Sequence, residues 1–149
     1  MIAVAQRVAH AQVDVDGETV GAIGPGFMIL VGVAKGDGPE QVKYLCQKIA
    51  NLRVFDNEEG KFDLSLLDVK GEALVVSQFT LLGSWRKGRR PGFDRAAGPE
   101  EAAPLVEMFA RELGKLGIKV RQGVFGASME VSLLNDGPVT FCMDTQALE

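Results

Sequence analysis

The sequence predicts one α/β domain over residues 1–149, with helices, a main mixed sheet and a smaller sheet in three layers. Short apolar segments separated by glycine-rich turns recur along the chain, as in folds with many short strands. Two amphipathic segments interrupt them, so strands come both in hairpins and across helical connections. With 149 residues, 46% of them hydrophobic, the chain can bury one core.

The first strands are predicted from alternation and from turn residues. Residues 2–9 and 11–15 carry apolar positions with partial alternation, and Asp16-Gly17 is typical of a hairpin leading into 19–23. After a Gly-Pro-Gly turn, residues 27–34 form a nearly all-apolar run. Such a run indicates a strand that is covered on both faces.

The first helix is predicted from its start signal and its periodicity. Asp37 stands three residues before Glu40, with Pro39 between them, which marks a helix start. Apolar residues then recur at helical spacing, namely Val42, Leu45, Cys46, Ile49 and Leu52. A turn follows at 57–60, and residues 72–81 are predicted as a strand whose apolar first half gives way to polar residues.

The second half of the chain predicts a loop, a helix and three strands. Residues 83–98 are rich in Gly and Arg and indicate a loop. A second amphipathic helix has Leu105, Phe109, Leu113 and Leu116 on one face and Gly117 as its stop. Pro99 and Pro104 cannot both lie in its first turn, which leaves its start open by about five residues. Strands are predicted near 118–124, 129–134 and 138–143.

Cysteine, histidine and apolar content exclude several classes of protein. Cys46 and Cys142 lie among apolar neighbours, and we predict that both are reduced core residues. Two cysteines and one histidine are too few for a paired zinc site, so no metal is expected. Residues 1–16 do not form the apolar block of a signal peptide, and the run at 27–34 is too short for a bilayer. We therefore expect a cytoplasmic protein with no membrane partner.

The charge balance argues against a general nucleic-acid binder. The formal net charge is −4, so no DNA partner is expected. A local basic patch is still present in the predicted loop, and Arg95 follows it. Its members are Arg86, Lys87, Arg89 and Arg90.

The chain lacks the usual residues for proton transfer and nucleophilic catalysis. Its one histidine is His10, near the predicted end of the first strand, where a structural or solvated role is the more common one. No GxSxG, HExxH, Walker A or GxGxxG motif occurs. If the protein is an enzyme, its substrate must already be reactive.

Three segments carry unusual combinations of residues. SQFTL at 77–81 ends an apolar strand with polar groups, although a strand end surfacing into solvent would read the same way. GVFGASM at 123–129 allows tight bends around Phe125, but a simple β-turn with core side chains also fits. NDGPVT at 135–140 begins like a hairpin, which Pro138 interrupts, and the pattern alone does not decide between a cis and a trans bond.

Together these segments resemble the D-aminoacyl-tRNA deacylase family, also called D-tyrosyl-tRNA deacylase. SQFTL and NDGPVT at this separation are a specific pair, and the resemblance covers essentially the whole chain. Further matching segments are Gln6-Arg7-Val8, Asn51-Leu52-Arg53 and the loop from Lys87-Gly88 to Arg90-Pro91.

The resemblance implies a homodimeric hydrolase with the deacylase-type fold that needs no metal and no organic cofactor. Its partner would be aminoacyl-tRNA. The enzyme would cleave the ester between a D-amino acid and the terminal adenosine, and would also remove glycine from mischarged tRNA. Such an enzyme proofreads chirality in translation.

The resemblance also assigns roles to residues. The catalytic floor of the pocket would be formed by Ser77, Gln78, Phe79 and Thr80. Its wall would be formed by Phe125, Ala127 and Met129. Gly137 and Pro138 match a Gly-cisPro dipeptide that reaches into the other subunit's pocket and excludes L-amino acids. Gln6 and Arg7 match residues that support this dipeptide, and the basic patch would contact tRNA.

The mechanism implied by this resemblance suits the absence of a catalytic triad. An aminoacyl ester is an activated bond, and the neighbouring ribose 2′-hydroxyl can help to organise the attacking water. The protein then needs to orient the ester and supply backbone donors to the oxyanion. Thr80 as nucleophile ranks second, because no adjacent base is evident.

Two other functions fit parts of the sequence. A non-catalytic module that binds tRNA or peptide would keep the basic loop but would not use the pocket motifs. An ordinary esterase would use Thr80 with His10, and would turn over small D-amino-acid esters as fast as tRNA esters.

Overall fold

A computed structural model describes residues 1–146, and residues 147–149 of the predicted domain lie outside the described part. The strands are β1 (Ile2–Val15), β2 (Glu18–Ile23), β3 (Gly26–Gly32), β4 (Phe55–Asp56), β5 (Phe62–Leu64), β6 (Glu72–Ser77), β7 (Lys119–Gln122) and β8 (Glu130–Asp144). The helices are α1 (Pro39–Asn51) and α2 (Pro99–Lys115), with a 3₁₀ turn at Phe79–Leu82. No helix within residues 1–146 is long and apolar enough to cross a membrane.

The long strand β1 organises the main sheet. Its first half pairs antiparallel with β3 and its second half with β2. β8 pairs antiparallel with both halves of β1. β3 then pairs in parallel with β6, and β6 with β7, so the sheet is mixed. A separate two-stranded ladder is formed by β4 and β5.

Two hydrophobic clusters show the three predicted layers. The larger cluster lies between the helices and the sheet and includes Phe27, Ile49 and Phe109. The second cluster, which includes Val13 and Leu74, lies where the second half of β1 packs with β2 over β3 and β6. The predicted α/β class with a helix layer, a main sheet and a smaller sheet is thus confirmed.

Several predicted strand boundaries are wrong. β1 and β8 are each continuous, because the two long strands pair over nearly their whole length. The strand predicted over 72–81 ends at Ser77, where the chain enters the 3₁₀ turn. The positions of β4 and β5 were not predicted, since strands of two and three residues are too short to show a period.

The start of α1 differs from the prediction, whereas α2 starts within the range that the sequence left open and ends before Gly117 as predicted. Gly38 is the N-cap of α1, and its N–H donates to Gln41 Oε1 at 2.8 Å. Asp37 instead accepts the Ala34 N–H at 2.7 Å and pairs with the Met1 ammonium. α2 begins at Pro99 and continues through Pro104, because burial of its apolar face outweighs the one hydrogen bond that proline removes.

The prediction that both cysteines belong to the core holds for Cys46 only. Cys46 is buried in α1 and its Sγ donates to the Phe109 carbonyl at 3.4 Å. Cys142 is exposed on the single chain, because alternate residues of β8 face away from the core. An apolar neighbourhood in sequence therefore did not distinguish a helix interior from the outer face of a strand.

Candidate active site

A cavity of about 460 Å³ opens beyond the carboxyl ends of the parallel strands β3 and β6. Ligand sites favour this edge of a parallel sheet, because the connections there diverge and leave a crevice. Its lining is mainly apolar and comes from four parts of the chain. These residues are Val31, Val33, Val76, Ser77, Gln78, Phe79, Ala97, Pro99, Ala102, Val106, Phe125, Gly126, Ala127, Met129 and Val131.

The floor of the cavity is the end of β6 and the turn after it. The Gln78 N–H donates to the Val31 carbonyl at 2.8 Å, which keeps the chain against β3 for one more residue. A Cβ at Gly32 would lie 2.9 Å from the Gln78 carbonyl oxygen and 2.6 Å from a Leu82 methyl group. Glycine at 32 therefore lets the 3₁₀ turn pack directly on the strand, and this packing brings Ser77, Gln78 and Phe79 to the cavity.

Thr80 lies outside the cavity lining. Its side chain is exposed, and its Oγ1 accepts a short hydrogen bond from the Gln78 amide. An amide donor does not remove a proton from a hydroxyl, so this contact does not activate Thr80 as a nucleophile. His10 makes no side-chain hydrogen bond within residues 1–146 and is exposed in the middle of β1, opposite Leu134.

The opposite wall is the segment between β7 and β8. The Gly123 N–H donates to the Val75 carbonyl at 3.1 Å, which fixes the start of this segment beside β6. A turn closed by the Ala127 N–H and the Val124 carbonyl at 3.2 Å then brings Phe125, Ala127 and Met129 to the cavity. All three predicted wall residues therefore face the floor residues across one cavity.

A third side of the cavity was missed by the sequence analysis. It comes from the chain before α2 and from the first two turns of that helix, through Ala97, Pro99, Ala102 and Val106. These are small or ordinary apolar residues, of which Ala97 falls in the predicted loop and the others outside the predicted apolar face of the helix. The only signal was their small size at the start of a helix that follows the glycine- and arginine-rich loop.

Gly137 and Pro138 are exposed and lie outside the cavity lining of their own chain. The Gly137-Pro138 peptide bond is cis, as the resemblance implied. The dipeptide occupies a bulge, since three residues of β1 between Gln6 and His10 face five residues of β8 between Leu134 and Thr140. The proline interrupts a strand here, and no hairpin turn forms.

Side chains of β1 and of β8 hold this bulge. The Arg7 Nε donates to the Asp136 carbonyl at 3.1 Å and lies 3.2 Å from the Asp136 carboxylate. The Asn135 amide donates to the Arg7 carbonyl at 2.9 Å and to the Val139 carbonyl at 3.2 Å. Gln6 donates to the Thr140 hydroxyl at 3.2 Å. The chain on either side of the dipeptide is thereby tied to β1.

Arg7 also connects the bulge to the β4–β5 ladder. Its buried guanidinium donates to the Val54 carbonyl at 2.6 Å and to Asp56 at 3.3 Å, and lies 5.7 Å from the centre of the Phe62 ring. The ladder is held in turn by Arg53. The hydrogen bond that Arg53 donates to the Asp63 carboxylate keeps the pKa of Asp63 below its ordinary value, and a second from Asn57, in the turn between the two strands, acts in the same direction.

The basic loop forms an exposed hairpin beside the cavity. Ser84 and Gly92 exchange two backbone hydrogen bonds of 2.7 and 2.9 Å, and residues 85–91 between them are exposed. The Phe93 ring packs edge-on against Phe79 of the floor, with 5.1 Å between ring centres. The hairpin that carries the predicted cations Arg86, Lys87, Arg89 and Arg90 is thus anchored beside the cavity floor at its base.

The sequence model of the D-Tyr-tRNA(Tyr) deacylase family matches residues 4–144. The chain belongs to this family. It is a hydrolase that releases D-amino acids from tRNA by cleaving an ester bond, as the sequence analysis predicted. Within residues 1–146, no cluster of three His, Cys, Asp or Glu residues could hold a metal ion.

Relatives of this deacylase are similar over nearly their full length. The D-aminoacyl-tRNA deacylase of Chloroflexus aurantiacus is 60% identical, with 99% of this chain and 92% of the relative covered. That of Roseiflexus castenholzii is 59% identical, with 97% and 92% covered. These relatives carry the same activity in their names.

Two solved structures share the fold of this deacylase. The c-Myc DNA Unwinding Element Binding Protein superposes with a TM-score of 0.91 at 40% identity, covering 99% of this chain and 100% of its own. A probable eukaryotic D-amino acid tRNA deacylase superposes with a TM-score of 0.83 at 16% identity, covering 95% and 97%. The second likeness shows the common fold alone.

Proposed function

We propose that the cavity between β6 and the 123–129 segment is the active site, and that two subunits complete it. One observation carries this proposal: two of the three sequence motifs meet at one cavity, while the third lies exposed outside it. A homodimer in which Gly137-Pro138 of the partner subunit enters the cavity would bring the three motifs together. A C2 arrangement would complete both sites at once.

The role we propose for Gly137-Pro138 is to exclude L-amino acids sterically. A D and an L amino acid carry the same groups and differ in the direction of the side chain. A backbone wall can therefore reject the L form whatever its side chain is, while glycine has no side chain to reject. Cleavage of mischarged glycyl-tRNA follows from the same geometry. The ties from Arg7 and Asn135 would keep this wall in place.

The proposed chemistry uses the substrate and the backbone, without a protein nucleophile. The 2′-hydroxyl of the terminal adenosine would organise a water that attacks the ester carbonyl. The backbone N–H of Phe79, a residue that lines the cavity, has no hydrogen-bond acceptor among residues 1–146, and it is the donor we assign to the oxyanion. Ser77 and Gln78 would orient the substrate. Thr80 as nucleophile remains the second-ranked mechanism. The hydrogen bond that its hydroxyl accepts from the side-chain amide of Gln78 does not favour that mechanism.

The proposed tRNA contact is the hairpin that carries Arg86, Lys87, Arg89 and Arg90. Exposed cations on this hairpin, whose base is anchored beside the cavity floor, suit the phosphates of an RNA end whose last residue enters the cavity. With a net charge of −4, we expect no affinity for duplex DNA, although one structural relative is named for DNA binding. A cytoplasmic enzyme without a membrane partner fits a substrate used in translation.

The test compares release of amino acid from D-tyrosyl-tRNA, L-tyrosyl-tRNA and glycyl-tRNA, in buffer containing EDTA. We expect turnover of the D-tyrosyl and glycyl substrates and none of the L-tyrosyl substrate. Ala127→Trp should abolish turnover by filling the cavity, whereas Ser128→Trp, at an exposed neighbour outside the lining, should retain it. Equal activity of the two variants would contradict the assigned site, and binding of tRNA without any release would favour a non-catalytic module.

A further inference from the structure

Two cations that the motifs did not assign stand opposite each other at the rim of the cavity. The Lys35 N–H donates to the Arg95 carbonyl at 2.9 Å, and the Ala97 N–H donates to the Val33 carbonyl at 3.0 Å. These bonds flank an antiparallel bridge between Ala34 and residue 96. Lys35 therefore pairs with Arg95 in the same short ladder in which Val33 pairs with Ala97.

The two cations lie next to residues that line the cavity. Val33 and Ala97 line it, and Lys35 and Arg95 are each two residues away from them along the chain. Both cations belong to turns, because Lys35 lies in the turn over 34–37 and Arg95 lies in the turn that the Ala96 N–H closes on the Phe93 carbonyl at 3.0 Å. Two residues of chain span at most roughly 7 Å, so the backbones of Lys35 and Arg95 lie within one ladder step of the cavity wall.

The backbone at Lys35 is fixed by the turn that follows. The Asp37 N–H donates to the Ala34 carbonyl at 3.1 Å, and an Asp37 carboxylate oxygen accepts the Ala34 N–H at 2.7 Å. Gly36 has a φ of +89°, the conformation that the second central residue of a type II turn requires. Lys35 thus occupies the first central position of a turn that two hydrogen bonds close.

Neither cation is neutralised within the described chain. Both side chains belong to exposed residues, and among residues 1–146 no carboxylate forms a salt bridge with either. Like charges directly opposite each other in a ladder destabilise it. An anion bound between the two side chains would offset this repulsion and would accept charge-assisted hydrogen bonds from both.

We propose that Lys35 and Arg95 bind the phosphodiester groups at the 3′ end of the tRNA, next to the terminal adenosine. This proposal rests on the cavity being the active site, as proposed above. The phosphate on the 5′ side of that adenosine is the anion closest to the ester bond. A pair of cations within one ladder step of the cavity wall is placed to hold it, which would fix how far the RNA end enters. Lys35 and Arg95 are positioning residues in this role, separate from the 84–92 hairpin.

The test compares two D-tyrosyl esters, one on tRNA and one on free adenosine, which carries no phosphate. For Lys35→Ala/Arg95→Ala, the ratio of kcat/KM for the tRNA ester to that for the adenosine ester should fall by about tenfold or more. For the tRNA ester, the slope of log kcat/KM against log salt concentration should become shallower by about 1.4, which is about 0.7 for each lost contact to single-stranded RNA. Lys35→Arg/Arg95→Lys should restore most of the ratio. The matched control is Lys43→Ala/Arg111→Ala, which removes one exposed lysine and one exposed arginine from the helices and should keep the wild-type ratio and slope.

A binding measurement separates this proposal from the catalytic one. Binding of a short CCA-ended RNA carrying D-tyrosine through a non-hydrolysable 3′-amide should weaken by about tenfold in the Lys35/Arg95 variant and not in the control. An unchanged ratio, slope and affinity would overturn the proposal. An equal loss on both esters would also overturn it, because the turn would then act through the fold. A wild-type protein that binds this RNA through the two cations but cleaves neither ester would refute the proposed function alone.

Discussion

The Nε of Arg7 lies 3.1 Å from the carbonyl oxygen of Asp136, although 129 residues separate them in the chain. Asp136 immediately precedes Gly137-Pro138, and the same guanidinium binds the Val54 carbonyl on the other side. One side chain from the long first strand therefore fixes both the dipeptide bulge and the start of the small ladder.

Removing the Arg7 guanidinium should destabilise the fold and weaken the exclusion of L-amino acids by Gly137-Pro138. Arg7→Ala leaves the Val54 carbonyl without its charged donor, and we expect a loss of about 2 kcal/mol or more in the free energy of unfolding. The ratio of D- to L-tyrosyl-tRNA cleavage should fall as well. Arg53→Ala, at an exposed arginine of the same ladder region, should cost less than about 1 kcal/mol and keep the ratio. Urea unfolding with parallel D and L assays provides the measurement, and an unchanged D to L ratio in folded Arg7→Ala would contradict this role.

Thr80 and His10 should be dispensable for the chemical step. Thr80→Val and His10→Ala should each keep single-turnover rates on D-tyrosyl-tRNA within about tenfold of wild type, because losing a true nucleophile costs several orders of magnitude. A tRNA ending in 2′-deoxyadenosine should lose most of its turnover if the 2′-hydroxyl assists. A loss above about a thousandfold in folded Thr80→Val, or full activity on the deoxy substrate, would instead favour the Thr80 mechanism.

The hairpin cations should act through affinity for RNA. Arg89→Ala/Arg90→Ala should raise KM for D-tyrosyl-tRNA and leave kcat nearly unchanged. Each lost phosphate contact removes one counterion-release contribution. The slope of log kcat/KM against log salt concentration should therefore become shallower by about 0.7 to 0.9 per contact. The matched control is again Lys43→Ala/Arg111→Ala. A salt slope that stays at the wild-type value would mean that the hairpin is only a solvated loop.

Cys46 should resist alkylation until the protein unfolds. Burial, with a smaller contribution from the Glu112 carboxylate, raises the pKa of its thiol to about 12, so almost no thiolate forms in the native state at pH 8. A raised native pKa means that its contribution to stability is complete below the ordinary thiol value of 9.0 and is lost as pH rises toward 12. Iodoacetamide labelling with mass spectrometry should modify Cys46 only in denaturant, whereas exposed Cys142 provides the internal reference. Labelling of Cys46 in the native protein at pH 8 would argue against its burial.

The elements that the sequence predicted well are those whose burial is periodic. Val42, Leu45 and Ile49 repeat at helical spacing, and all three are buried in α1. The apolar run predicted at 27–34 covers all of β3 except Gly26, and β3 carries buried residues on both faces because helices cover one side and the second cluster covers the other. In such segments the local pattern and the final environment agree.

The features that the sequence did not predict depend on contacts between distant segments. The β4–β5 ladder shows no period of its own, and Arg7 holds its start from β1. The third side of the cavity uses Ala97 and Ala102, which also have the composition of ordinary core residues. The pairing of Lys35 with Arg95 joins residues 60 apart through one backbone hydrogen bond, which composition cannot reveal.

Mixing of subunits can show whether two chains share each active site. Ala127→Trp blocks the cavity of its own chain. Gly137→Val places a branched side chain on the dipeptide, where even the Cβ would lie 3.0 Å from Asn135 Oδ1, and it should block the cavity of the partner. Each variant alone should therefore lack activity on D-tyrosyl-tRNA.

The decisive measurement is the rate of D-tyrosyl-tRNA deacylation after the two inactive variants are unfolded, mixed in equal amounts and refolded together. About half of the dimers should contain one chain of each kind, and each should have one site with an intact cavity and an intact dipeptide. We expect about one quarter of the wild-type rate, with L-tyrosyl-tRNA still spared. No recovery, in a mixture shown to contain mixed dimers, would contradict the claim that Gly137-Pro138 of one subunit completes the cavity of the other.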